Sequence, residues 1–517
     1  GSIDGDEVCD DGGQNGAVGL GTCSETCQLN GRYELVLRMA TSGQVLDGTW
    51  DEALDRVVTQ AQDCIVRADS RVAKVKHIEY DFNLLRFDFQ PLHAYHNSWD
   101  TYAYIELRNN IRAGLGVTYR RGHASYVWKK DHSQNGEAAW VPAEVYLYCE
   151  RETRFARVSS FAADGTVVAG ISIDKLISLV SEDGAECKVR YDSRISNADH
   201  IEYGENLLYF DFLPLHASYN TWDAYAYVTV DSSRAALAAA YRRGHADNVY
   251  MLDRQQHAQA SAFNLPVDVF CRTWDPTIVK SDGAAFTQGD FAAAYEAVVT
   301  DGRDCRIGFN NRVAEPQYVE FSNGLLAFEF ENLHAPYDSW EAFARITIAS
   351  DGKAELQSKY RRGNQTVIDK KSDEQSAPVY KKAMPVTLFC DSKNAPAPAL
   401  TMNSGGTAVA GSWSNFHSEQ TNFSTAYDCK VRTDGRLFQP QLTELATVDE
   451  PVYFDMVGLA AFNGSWDAYA GILLENDVQS SIYSSLRRGH ASYVWQKGRA
   501  QYQVYQSTKT TSEFLCE

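Results

Sequence analysis

The sequence predicts an α+β protein of four tandem domains of about 115 residues, each a mostly antiparallel β-sheet carrying one helix and one disulfide. Tandem all-β sandwiches are the alternative. Three observations predict this. Eight of the 11 cysteines fall into four evenly spaced couples, four segments repeat one set of motifs, and apolar residues alternate with polar ones along the repeated segments.

The couples are Cys64–Cys149, Cys187–Cys271, Cys305–Cys390 and Cys429–Cys516, separated by 85, 84, 85 and 87 residues. Such regularity predicts one disulfide per copy. In the chain-entropy account, closing a loop of that length contributes about 4–5 kcal/mol. No Cys-x-x-Cys pair supports a metal site instead, and disulfides persist in oxidising compartments, so an extracellular or cell-surface location follows.

The repeated motifs are an acidic-aromatic strand, a Trp twelve residues after its first Phe, and an Arg-Arg-Gly. They read Phe87-Asp88-Phe89, Trp99 and Arg120-Arg121-Gly122 in the first copy, and Phe210-Asp211-Phe212, Trp222 and Arg242-Arg243-Gly244 in the second. The third has Phe328-Glu329-Phe330, Trp340 and Arg361-Arg362-Gly363, and the fourth Phe454-Asp455-Met456, Trp466 and Arg487-Arg488-Gly489. The domain map is a short cysteine-rich module at 1–31, then repeats at 32–152, 153–274, 275–392 and 393–517. Units of this size fold as whole domains with their own cores. Short links such as Asn394–Pro398 imply a stiff rod.

Alternation places Trp99, Thr101, Ala103, Ile105 and Leu107 on one sheet face, and Asp100, Tyr102, Tyr104 and Glu106 on the other. Small residues in mid-strand leave room for a helix. Asp51–Gln62, Ser172–Ser181 and Phe291–Thr300 supply one at helical spacing, with Asp290 as an N-cap. The equivalent stretch, Trp413–Tyr427, is polar. Each first cysteine opens a strand and each second ends one, so the bond is expected to join the first and last strands of a five- or six-stranded sheet.

A net charge of −20 disfavours nucleic acid and anionic membrane surfaces, and no apolar run is long enough to span a bilayer. No signal peptide opens the chain, but Gly1-Ser2 reads as an expression scar, so a leader is expected to have been removed.

The front segment reads Asp4-Gly-Asp-Glu-Val-Cys9-Asp-Asp-Gly12, followed by Gly21-Thr-Cys23-Ser-Glu-Thr-Cys27. It resembles the short cysteine-rich repeat of secreted bacterial surface proteins, related to modules in pregnancy-associated plasma protein and to Notch-type modules. The resemblance covers about 25 residues and implies an extracellular setting and no reaction. That family carries a further cysteine upstream, which matches the odd count of three here. Related modules bind calcium through acidic side chains, and Asp6, Asp10 and Asp11 match that chemistry. No other cofactor is expected.

Two constellations are candidate binding sites. One is the stripe beside each Trp, Asp100, Tyr102 and Tyr104 in the first copy and Asp223, Tyr225 and Tyr227 in the second, whose rings and carboxylates suit stacking on sugars. Cross-strand packing accounts equally for such a stripe. The other is the Arg pairs, Arg120 and Arg121, Arg242 and Arg243, which either bridge neighbouring acids such as Asp88 and Asp100 or receive an anionic group. The Trp residues read as core. His93, His216 and His334, with His123, His245 and His490, read as loop caps, because no nucleophile recurs beside them.

These readings converge on a non-enzymatic secreted protein that binds glycans or a cell-surface or matrix protein through repeated weak sites. A self-associating filament, stalk or sheath subunit is one alternative. A glycan hydrolase using Asp88 and Asp100 is another, disfavoured because four equivalent catalytic sites on one chain are unusual.

Overall fold

The computed structural model describes residues 32–516 except 69–70, 89–99, 122–136, 152–153, 213–222, 244–258, 273–274, 317, 331–340, 363–377, 393–395, 422–424, 427, 441, 446–450, 457–466 and 489–503. Strands make up 60% of it and helices 11%, so a sandwich describes each repeat as well as an α+β unit does.

Repeat 1 shows the plan. Its strands are β1 (Tyr33–Met39), β2 (Val45–Gly48), β3 (Cys64–Ala68), β4 (Arg71–Lys74), β5 (His77–Asp81), β6 (Leu84–Asp88), β7 (Asp100–Arg108), β8 (Arg112–Arg121), β9 (Glu137–Pro142) and β10 (Val145–Glu150). They form two half-sheets: one in the order β2-β1-β10-β3-β4, the other the meander β5-β6-β7-β8-β9. The core lies between them. Val36, Val66, Val145 and Leu147 from the first half meet Leu85, Phe87, Ile105 and Leu107 from the second. Helix α1 (Trp50–Leu54), with the π-helical turn Asp55–Thr59, adds Trp50, Ala53 and Val57.

The helices fall where apolar spacing places them, and Asp290 accepts a hydrogen bond from the Ala293 amide at 2.8 Å as the expected N-cap. The polar stretch of repeat 4 is also helical, Trp413–Thr421, held by buried Trp413 and Phe416. Two aromatic anchors three residues apart suffice where the rest of the face is polar.

Each half-sheet continues into a neighbouring repeat. Strand β5 pairs with Arg194–Asn197 of repeat 2, and His200–Gly204 of repeat 2 with Arg312–Ala314 of repeat 3. Tyr318–Ser322 of repeat 3 pairs with Arg436–Phe438 of repeat 4, and Leu442–Leu445 of repeat 4 returns to β4 of repeat 1. The four junctions join the same two edges, so the repeats close head-to-tail into a ring. Three sheets have ten strands and the one that closes the ring has 11.

Three expectations are corrected. The chain is a ring rather than a rod, because the edges that would end each domain are the edges that join it to the next. Each of the first three repeats contributes ten strands, and the fourth eleven, to two shared sheets, not five or six to its own. The disulfide does not link the outer strands of a sheet: Cys64 lies directly opposite Cys149 on adjacent strands inside the half-sheet. All four bonds exist as paired from the sequence, and their sulfurs are buried.

Candidate functional site

At each junction the incoming strand plugs the core of the preceding repeat. Ile195 faces Ile78 and belongs to the core of repeat 1, and Val313 faces Ile201 in the core of repeat 2. Leu437 faces Val319 in repeat 3, and Val72 faces Thr443 and packs against the core of repeat 4.

Charged groups fasten the same seams. In repeat 2, Lys188 donates to the Ala61 carbonyl at 2.9 Å and meets Asp63 at 2.5 Å, while Arg190 donates to the Val58 carbonyl at 2.8 Å. Repeat 4 copies this onto repeat 3: Lys430 reaches the Gly302 carbonyl at 2.6 Å and Asp304 at 2.8 Å, and Arg432 the Thr300 carbonyl at 2.9 Å. The accepting carbonyls lie at or within two residues of the C-terminal ends of the π-helical turns of repeats 1 and 3, where a helix terminus leaves carbonyls without intrahelical partners and favours cations. At the second junction Arg306 donates to the Ala185 carbonyl at 2.6 Å. At the closing junction the matching residue is Ile65, buried with Tyr33 and Tyr148, and the link is instead Lys74 to Asp428.

These pairs surround a cavity of about 110 Å³ lined by all four repeats, with Arg32, Asp63, Glu186, Arg272, Asp304 and Asp428 in its wall. Arg32 pairs with Glu150 at 2.5 Å and Arg272 with Asp391 at 2.5 Å. Across the space the separations are longer: 3.8 Å from Arg32 to Asp63, 3.9 Å from Arg32 and from Arg272 to Asp304, and 3.8 Å from Arg272 to Glu186. Burial would raise Asp304, but Lys430, Arg32 and Arg272 outweigh it and hold the carboxyl well below the usual range. Glu186 goes the other way, pushed up to about 7 by burial and by Asp63 against the pull of Arg272. The cavity is thus a mutually neutralising ionic hub.

The residues expected to bind ligand divide differently. Tyr104 is 3% exposed, not presented to solvent. Arg86 stacks 4.0 Å over its ring, and a Cβ at Gly116 would fall 2.0 Å from its Cζ, so the ring lies flat across the next strand. Tyr227 is half-buried and meets Tyr209 edge-on at 5.7 Å. Asp100 and Arg121 sit opposite each other in register, as do Asp223 and Arg243, Glu341 and Arg362, and Asp467 and Arg488. A β-bulge follows at once in each hairpin, and its extra residue is the first arginine of the pair: Arg120, Arg242, Arg361 or Arg487. The side chains of Asp88, Asp100, Tyr102, Arg120, Arg121, Asp223, Tyr225, Arg242 and Arg243 lie outside the described residues, as do the four repeated Trp, the six loop histidines and the whole front module with Asp6, Asp10 and Asp11.

A further cluster escaped the sequence reading. His200 Nε2 lies 2.9 Å from Asp211 Oδ2 and 3.5 Å from Glu202, and ligand atoms of the three lie within 4.8 Å of one another. Burial alone would lower His200, yet Asp211 and Glu202 hold it up at about 9. The verbatim repetition of His-Ile-Glu-Tyr at 77–80 and 200–203 was the signal available.

Fold and site together define a class: a closed, disulfide-stapled ring of four mostly antiparallel β-sheet repeats around an ionic hub. No protein-family model matches the chain, and no curated protein matches it. Among the described residues no helix is long and apolar enough to cross a membrane. The four disulfides fit an oxidising compartment.

Proposed function

We propose that the protein is a non-enzymatic extracellular binding ring that engages a glycan or a cell-surface or matrix protein through four equivalent hairpin ends. The observation that carries this reading is the bulge repeated at Arg120, Arg242, Arg361 and Arg487. In the backbone register the second arginine of each pair is the partner of an acidic residue, whereas the first is the unpaired residue of the bulge, a position bulges commonly provide beside functional sites. Head-to-tail closure relates the repeats by rotation about one axis, which puts equivalent hairpin ends on the same side of the ring. Four weak anion-directed contacts on one rigid frame gain avidity without any strong site. Burial of Tyr104 moves the weight of the reading from the aromatic stripe to the arginines. The test is binding of the intact chain to an array that includes anionic glycans. Replacing Arg120, Arg242, Arg361 and Arg487 by alanine one after another should raise the off-rate in steps. Undiminished binding by the fourfold variant, or no binding by the parent chain, contradicts the reading.

Self-association is the second reading, favoured by the outer edges. The edge strands Val45–Gly48, Val167–Gly170 and Ala408–Gly411 expose Leu46, Val168 and Val409 at 47%, 68% and 60%, and unpaired apolar edges template pairing with other chains. Concentration-dependent polymers in light scattering and negative-stain microscopy would support a filament or sheath subunit.

A further inference from the structure

We propose that His200, Glu202 and Asp211 of repeat 2 form a binding site for a divalent transition-metal ion of the zinc class. One imidazole nitrogen and two carboxylates form a borderline donor set that suits such an ion. Zinc bonds of about 2.0–2.2 Å in tetrahedral array set ligand atoms roughly 3.4 Å apart, and the separations of 2.9 and 3.5 Å from His200 to its two carboxylates bracket that spacing. His200 and Asp211 are buried on paired strands, opposite each other in register, and Glu202 lies two residues along the same strand as His200. Arg312 of repeat 3 donates to Glu202 at 2.7 Å. It is an outer partner that fixes the carboxylate, the role second-shell groups take around metals.

The second observation comes from the other repeats. In repeat 3 the same two positions hold Glu320 and Glu329, and Arg345 sits between them at 2.7 and 3.5 Å. The residue in register with Asp211, as Arg345 is with Glu329, is Tyr227. In repeat 1 the matching glutamate, Glu79, has Arg86 at 3.6 Å and Arg194 at 3.3 Å. Repeat 2 keeps the outer arginine, Arg312, but has neither inner one: Tyr209 and Tyr227 stand where repeats 1 and 3 place Arg86 and Arg345. Repeat 2 thus has the imidazole without an inner guanidinium, whereas repeat 1 has His77 at the matching position together with Arg86, and repeat 3 has Tyr318 there together with Arg345.

The test is zinc titration of the full chain after chelator treatment, with bound metal counted by mass spectrometry and a parallel cobalt spectrum. One equivalent should bind with a His/carboxylate spectrum lacking a thiolate charge-transfer band, which separates it from ions held by Cys9, Cys23 and Cys27. Asp211→Asn should weaken this binding by more than the roughly 10–100-fold typical of an outer-shell partner. Tyr227→Arg installs the arrangement of repeat 3 and should abolish it, with an unchanged circular dichroism spectrum showing that the fold is kept. Retention of the equivalent in folded Tyr227→Arg, or no such equivalent in the parent chain, overturns the proposal.

Discussion

Ile195 of repeat 2 lies opposite Ile78 of repeat 1 across the junction, buried in the core of repeat 1 rather than its own. Leu437 of repeat 4 takes the same seat in repeat 3. Truncating either to alanine leaves a cavity in a neighbouring repeat, with an expected loss of about 2–4 kcal/mol. Thermal unfolding and limited proteolysis of Ile195→Ala should show repeat 1 opening together with repeat 2. Destabilisation confined to repeat 2 would contradict the shared core.

Lys188 and Asp63 form a mostly buried pair whose lysine also bonds the Ala61 carbonyl. Lys188→Met takes the nearest cation from the carboxylate, leaving Arg32 at 3.8 Å, and should cost up to about 3–5 kcal/mol, whereas Lys188→Met with Asp63→Leu should recover much of that loss. Chemical denaturation of the two variants measures the difference. Equal losses would mean that the lysine acts through packing alone.

The hub makes stability pH-dependent in two directions. Glu186 titrates near 7, above the ordinary carboxyl range, so its contribution is full at low pH and is lost as pH rises through that value. Asp304 is depressed, so its contribution is present at neutral pH and lost as pH falls through its folded value. Glu186→Gln should therefore raise the unfolding temperature at about pH 8 and change it little at about pH 5. A larger gain at the lower pH would reverse the assignment.

Tyr104 lies across Gly116, where a Cβ would fall 2.3 Å from its hydroxyl oxygen. Gly116→Ala should cost about 1–3 kcal/mol through overpacking, and Tyr104→Ala in the same chain should cancel most of the effect. A double-mutant cycle checks it. Additive losses would place the clash elsewhere.

Much of this was legible in the sequence. Cysteine spacing gave the four bonds, apolar periodicity located three helices, and Asp290 marked its own cap. The ring was not legible. Ile78, Ile195 and their equivalents sit in alternating strands that look the same whether the partner strand is in the same repeat or the next. Tyr104 misled for a related reason. Alternation assigns it to the outer face, but that face is covered by Arg86 and Trp140, which reach it from neighbouring strands. The hub was hidden because each repeat supplies only a fragment of it: Asp63, Glu186, Asp304 and Asp428 each precede a cysteine and read singly as surface acids.

Ring closure rests on the pairing of repeat 4 with repeat 1, where Thr443 faces Val72. Cysteines placed at these two positions by Val72→Cys and Thr443→Cys, in the otherwise native chain, test it most directly. Under mild oxidation the account predicts a new disulfide within single monomeric chains, identified by mass spectrometry of unreduced peptides. No bond between these positions, or bonds formed only between molecules, would contradict it.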